Sequence, residues 1–84
     1  MRKENFSYGT FYYNDFGQLH REDGPAIEYT TGGKRWYFNN LLHREDGPAA
    51  EFSDGSKFWY IRDKQINCKT QKEFLQLMKM KAFW

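Results

Sequence analysis

The sequence predicts a mostly β, α+β fold: an antiparallel meander of tandem 23-residue β-hairpin repeats closed by one C-terminal α-helix. Three observations carry it. An eight-residue string recurs unchanged, glycine- and Asx-rich turn signals punctuate the chain, and the apolar period switches from strand-like to helix-like near Thr70.

The repeat is exact in its first part. Leu19-His20-Arg21-Glu22-Asp23-Gly24-Pro25-Ala26 returns as Leu42-His43-Arg44-Glu45-Asp46-Gly47-Pro48-Ala49, 23 residues on. At that offset Glu28 meets Glu51, Tyr29 meets Phe52, Gly32 meets Gly55, Lys34 meets Lys57, Trp36 meets Trp59 and Tyr37 meets Tyr60. Phe11-Tyr12-Tyr13 stands where a Trp-Tyr pair belongs and is followed by a turn one or two residues longer. Residues 61–66 begin a third unit that then departs from the pattern.

Each unit reads as two strands. Residues 26–29 and 49–52 alternate in character, and residues 34–38 and 57–61 return antiparallel to them. Thr31-Gly32-Gly33 and Ser53-Asp54-Gly55-Ser56 supply hairpin turns, with glycine at positive φ. Asn39-Asn40 and Arg62-Asp63-Lys64 supply the next turns. Five or six short strands are expected over about residues 6–66, within one domain spanning residues 1–84.

Thr70-Gln71-Lys72-Glu73 is a capping box, and a helix follows over about residues 70–82. Phe74, Leu75, Met78 and Ala82 form a stripe suited to covering the sheet. Leu77, Met80, Phe83 and Trp84 are left over, and they predict a partner or homodimer interface.

Composition narrows the classes. No apolar run approaches the ~20 residues of a membrane span. One cysteine, Cys68, excludes an intrachain disulfide, and no charged-then-apolar leader is present, so a cytoplasmic setting is expected. Eight Phe, six Tyr and three Trp exceed what one small sheet can hide, so some rings belong on a binding surface. Charge is uneven. Residues 1–56 carry 6 Lys/Arg and 9 Asp/Glu, whereas residues 57–84 carry 7 Lys/Arg and 2 acids. The basic half suits an acidic partner or RNA, or a solvated helix face.

The only histidines, His20 and His43, lie in the duplicated string beside acidic residues. Catalysis needs one asymmetric constellation, and these groups are copied into separate units, so no enzyme, metal or cofactor is expected. The string reads instead as structural. Asp23-Gly24-Pro25 and Asp46-Gly47-Pro48 are tight turns in which Gly24 and Gly47 permit an unusual φ, and the Arg and Asp can pair. Function is then sought where the units differ. Lys34, Arg35, Lys57, Arg62, Lys64, Lys69 and Lys72, interleaved with rings, form a candidate RNA-binding set. The competing reading is a half-buried strand with aromatics inside and charges outside.

The string Leu-His-Arg-x-Asp-Gly-Pro-Ala, then Gly, then Trp-Tyr, resembles the hairpin repeats of small bacteriophage and giant-virus proteins over residues 11–66. More loosely it resembles MORN-variant repeats, some found in bacterial antitoxin-like proteins, although the glycine-bracketed strand pairs of that family are missing in several places. The resemblance implies a phage accessory protein working in the host cytoplasm. Its partner would be a bacterial toxin or defence factor, in the sharpest form the endoribonuclease of an RNA-antitoxin system, bound together with RNA. A stand-alone RNA-binding protein and a self-assembling structural component are the alternatives.

Overall fold

Left-handed backbone positions decide where this chain reverses. Gly32 (φ 105°) and Gly55 (φ 94°) do so in two glycine turns, and the pairs Asn39 (48°)–Asn40 (71°) and Arg62 (49°)–Asp63 (71°) do so in two-residue turns. Two successive positive φ values make the type I′ turn, whose twist matches that of paired strands.

The computed structural model describes residues 2–80. Strands β1 (Arg2–Phe6), β2 (Gly9–Tyr13), β3 (Ile27–Tyr29), β4 (Lys34–Arg35), β7 (Ala50–Glu51), β8 (Lys57–Ile61) and β9 (Lys64–Ile66) form one sheet, paired in that order. Strands β5 (Tyr37–Phe38) and β6 (Leu41–Leu42) form a separate two-stranded ribbon. All pairings are antiparallel. The meander with a C-terminal helix is therefore the fold of this chain.

Two details differ from the sequence expectation. The described residues form nine strands rather than five or six, and pairing already includes Arg2 rather than beginning near residue 6. Residues 2–5 are polar without alternation and so read as a tail. They pair because the ladder with β2 is supported by Arg2 lying 4.7 Å over Tyr13 and Lys3 lying 5.7 Å over Tyr12. The run 34–38 divides at Trp36, whose N–H donates to Ala49 O (2.8 Å) while its C=O accepts from His43 N–H (3.0 Å). Trp36 thus leads the chain from the main sheet into the ribbon.

Register gives the two sheet faces different chemistry. Phe11, Ile27, Arg35, Ala50 and Phe58 stand side by side on one face. Thr10, Glu28, Lys34, Glu51 and Lys57 stand on the other. The duplicated strings and the helix cover the second face, since Arg21 reaches Glu28, Arg44 reaches Glu51, and Phe74 packs on Trp59 and Ile61. Neither the strings nor the helix lies on the first face, where Ile27 and Ala50 are nonetheless buried beneath the larger side chains around them and Phe58 is exposed. The molecule is accordingly a slab of 38 × 30 × 17 Å.

Helix α1 (Gln71–Met80) starts at the threonine N-cap: Thr70 Oγ1 accepts the Glu73 N–H (3.2 Å), and Thr70 C=O accepts the Phe74 N–H (3.0 Å). Its inward face corrects the sequence reading. Phe74, fully buried, joins Trp59, Ile61 and Ile66 in the core, with Leu77 and Met78 packed alongside. These are the i, i+3, i+4 positions of one stripe. Leu77 therefore has an intrachain home, whereas Leu75, expected to cover the sheet, is 43% exposed. The alternative stripe was equally apolar on paper; Trp59 and Ile66 select between them. Met80 is exposed as expected, and Phe83, Trp84 and Ala82 lie outside the described residues.

The helix also ends the repeat. At the position of Arg44 the third unit has Asn67, and at that of His43 it has Ile66. Trp59 is held by the helix instead: its Nε1–H donates to Gln71 Oε1 (2.9 Å), and Gln71 Nε2 donates to Asp46 O (2.8 Å). A solenoid needs such a terminal cap because its last unit has no neighbour. Phe74→Ala is expected to cost about 3–5 kcal/mol and Leu75→Ala under about 1 kcal/mol. Urea unfolding checks this; equal losses would mean that the helix docks by the other stripe.

Candidate functional site

The duplicated string is built around its arginine. Arg44 Nε donates to Asp46 Oδ1 (2.9 Å), and Nη1 donates to Pro48 O (3.1 Å) and Glu51 Oε2 (3.3 Å). The guanidinium lies 3.9 Å from the Trp36 ring centre. Arg21 repeats this with Asp23 (2.9 Å), Pro25 O (3.2 Å), Glu28 (3.4 Å) and the Tyr12 ring (4.1 Å). A planar donor fork with an aromatic stack is arginine's particular competence. Tyr12, not Tyr13, is thus the first unit's counterpart of Trp36.

Gly24 and Gly47 serve these stacks by lacking a side chain. Neither is among the positive-φ glycines, which corrects the expectation of an unusual backbone angle there. A Cβ on Gly47 would sit 2.8 Å from Arg44 Cζ, and one on Gly24 would sit 3.1 Å from Arg21 Cζ. The constraint is space for a guanidinium. Asp23 and Asp46 accept from these arginines through their carboxylates, and Pro25 and Pro48 through their carbonyls.

The histidines likewise fasten one unit to the next. His20 Nδ1 accepts the Asn39 N–H and His43 Nδ1 accepts the Arg62 N–H, each at 3.0 Å. Beside them Asn40 and Asp63 donate their N–H groups to Leu19 O and Leu42 O, both at 2.8 Å, and return a side-chain oxygen to the Leu19 and Leu42 N–H groups. Each Leu-His pair therefore clasps the following I′ turn. Among the described residues no cluster of His, Cys, Asp and Glu could hold a metal ion.

The uncovered sheet face is the strongest candidate for recognition. Phe6, Tyr8 and Phe11 contact one another at 5.3–5.8 Å between ring centres, Phe11 meets Tyr29 at 6.2 Å, and Phe52 meets Phe58 at 5.5 Å. Arg35 joins the two groups, its Cζ 4.2 Å from the Phe52 ring and 5.5 Å from the Tyr29 ring, while Nη1 donates to Glu51 O (3.2 Å). Tyr60 shares this face with Phe58, and burial, then Tyr29, pushes the Tyr37 hydroxyl above its ordinary range. Phe6, Tyr8, Phe52 and Phe58 are all exposed. The excess of aromatics is thus paved onto one surface.

The seven expected RNA contacts do not converge. Arg35 lies on the aromatic face, while Lys34 and Lys57 point to the opposite face beside Glu51. Lys57 and Lys69 do meet, in a shallow cleft of about 440 Å³ with Phe58 and Gln65. Arg62 lines a separate cleft of about 780 Å³ between the two strings, floored by Phe38 and Leu41 and rimmed by Glu22, Asp23, Glu45 and Asp46. Lys64 and Lys72 are exposed on β9 and α1. One-dimensional interleaving could not reveal this division, because alternate residues of a strand face opposite ways. The aromatic face was missed for the same reason: Phe6 and Tyr8 sit outside the repeat and join it only through β1 and β2.

Cys68 is half-buried against the core, and burial, then Glu73, pushes its thiol up, so it is a poor nucleophile. Comparison with protein-family models, curated proteins and solved structures found no match.

Two expectations follow. Gly47→Ala should cost about 1–3 kcal/mol. The loss should shrink by at least about 0.5 kcal/mol when Arg44→Ala is present, because the clash partner is then gone. Additive losses in a double-mutant cycle would contradict the space constraint. The second concerns acid. The Arg21 hydrogen bond, then its charge, holds the Asp23 carboxyl below the usual carboxylate range, and the Ser56 N–H does the same for Asp54. Lowered folded-state values add stability above the unfolded value of about 3.9, and this is lost as pH falls through the folded values. The urea midpoint should drop below about pH 4, less steeply in Asp23→Asn.

Proposed function

We propose that this chain is a non-catalytic binding protein that occludes a bacterial toxin or defence protein with its open aromatic sheet face. The observation carrying this reading is that face itself: rings from β1, β2, β3 and β8 and the turns beside them, with Arg35 at the centre. Tyr, Phe and Arg are enriched at protein interfaces, Tyr and Arg also among their hot spots, and rings set on a sheet lose little freedom on binding. The host setting and the class of partner come from the resemblance to phage hairpin repeats. RNA enters as a co-ligand. The Lys57–Phe58–Lys69 cleft adjoins the aromatic face and offers cations beside a stacking ring. The scatter of the other basic residues favours a protein as the principal partner.

Met80, 69% exposed near the end of the helix, supports the companion proposal of a homodimer. Light scattering showing a monomer of 10.2 kDa would reject it.

Coexpression with the endoribonuclease of an RNA-antitoxin system tests the main reading. The wild type should restore growth, and Arg35→Ala with Phe58→Ser should abolish rescue while leaving the circular dichroism unchanged. Lys57→Ala with Lys69→Ala should reduce copurifying RNA and flatten its salt dependence. Full rescue by the Arg35/Phe58 variant would overturn the assignment of the face.

A further inference from the structure

The two histidine clasps have a property that the binding reading does not use. Each imidazole is held by a hydrogen bond at Nδ1 and has a carboxylate near Nε2, within hydrogen-bond distance only at His43. In the first unit Nδ1 accepts from the Asn39 backbone N–H at 3.0 Å, and Nε2 faces Glu22 Oε2 at 3.7 Å. In the second, Nδ1 accepts from the Arg62 backbone N–H at 3.0 Å, and Nε2 faces Glu45 Oε2 at 3.2 Å. An acceptor Nδ1 and a neighbouring carboxylate at Nε2 define one tautomer, with the single proton on Nε2. A second proton has only Nδ1 to go to, and there it meets a backbone N–H that cannot turn away without opening the I′ turn.

We propose that the paired histidine clasps are an acid-sensitive coupling, in which protonation at Nδ1 of His20 and His43 releases the turns at Asn39 and Arg62 and loosens each unit from the next. The surrounding groups show why the effect is local. Around His20 lie Arg21 and Glu22 on its own segment, the Phe38 ring at 4.5 Å and the Tyr12 carbonyl, which accepts the His20 N–H. Around His43 lie Arg44, Glu45, Arg62 and Asp63, with Phe38 at 6.3 Å and the Trp36 carbonyl. Glu22 and Glu45 attract the charged imidazole but meet Nε2, which bears a proton in either state. They cannot replace the acceptor lost at Nδ1. The released elements are the tips of the β5–β6 ribbon and of the β8–β9 hairpin. The first carries Phe38, the floor of the 780 Å³ cleft, so acid would reshape that cleft while the main sheet holds.

Amide hydrogen exchange by NMR on the full chain tests this, with His20→Asn and His43→Asn as controls. Asparagine offers an oxygen near the Nδ1 position and does not titrate. As pH is lowered until the imidazole resonances have shifted to their charged form, the wild-type Asn39 and Arg62 amides should lose about fivefold to tenfold protection, corresponding to one hydrogen bond. The Phe52 amide, bonded to Ser56 O, should keep its protection. Each Asn variant should abolish the response at its own clasp and leave the other. Protection unchanged in the wild type while the imidazole resonances titrate would overturn the proposal, as would an unaltered response in the variants.

Discussion

The Arg44 guanidinium lies 3.9 Å from the centre of the Trp36 ring, and Gly47 approaches it so closely that a methyl group there would sit 2.8 Å from Cζ. Held between ring and glycine, it spends its N–H groups on Asp46, the Pro48 carbonyl and Glu51. Those partners belong to a turn and to the strand after it, so one side chain ties the loop to the covered face of the sheet. Arg21 does the same one unit earlier. In a chain with no disulfide and a buried core of few large side chains, this charged stack takes over part of the work of an apolar layer. It explains why Arg, Asp, Gly and Pro recur together, since each is needed by the same guanidinium.

The rest of the architecture depends on that arrangement. With the loop fixed, the Leu-His pair ahead of it is positioned to clasp the next I′ turn, which lets Arg62 adopt a positive φ that such a side chain otherwise avoids. With one sheet face covered by loops and helix, the other is left to the aromatics. The arginine stacks and most of the exposed rings thereby lie on opposite faces of a 17 Å slab.

Much of this was legible in the sequence because it was written twice. The meander, the glycine turns and the places of the two-residue turns follow from repeat register and turn chemistry, and the capping signal at Thr70 marks the helix start. What escaped is what depends on the third dimension. Gly24 and Gly47 look like backbone glycines, and only the position of the arginine shows that they make room for it. The helix offers two apolar stripes, and Trp59 and Ile66 choose Phe74, Leu77 and Met78. Lys34 and Arg35 are neighbours in sequence and lie on opposite faces. Residues 2–5 carry no strand alternation, yet ring contacts from Tyr12 and Tyr13 bring them into the sheet.

If the arginine stack and the clasp together specify how one unit meets the next, the unit should be insertable. A second copy of residues 24–46 placed directly after Asp46 creates a seam identical to the existing one, with a third stack, a third clasp and the same helical cap. Urea unfolding of that extended chain is the most direct measurement. A single cooperative transition, with a midpoint no lower than that of the parent and a steeper denaturant slope for the added surface, is the predicted result. A chain that aggregates, or that unfolds in two separate steps with the parent midpoint lost, would contradict it.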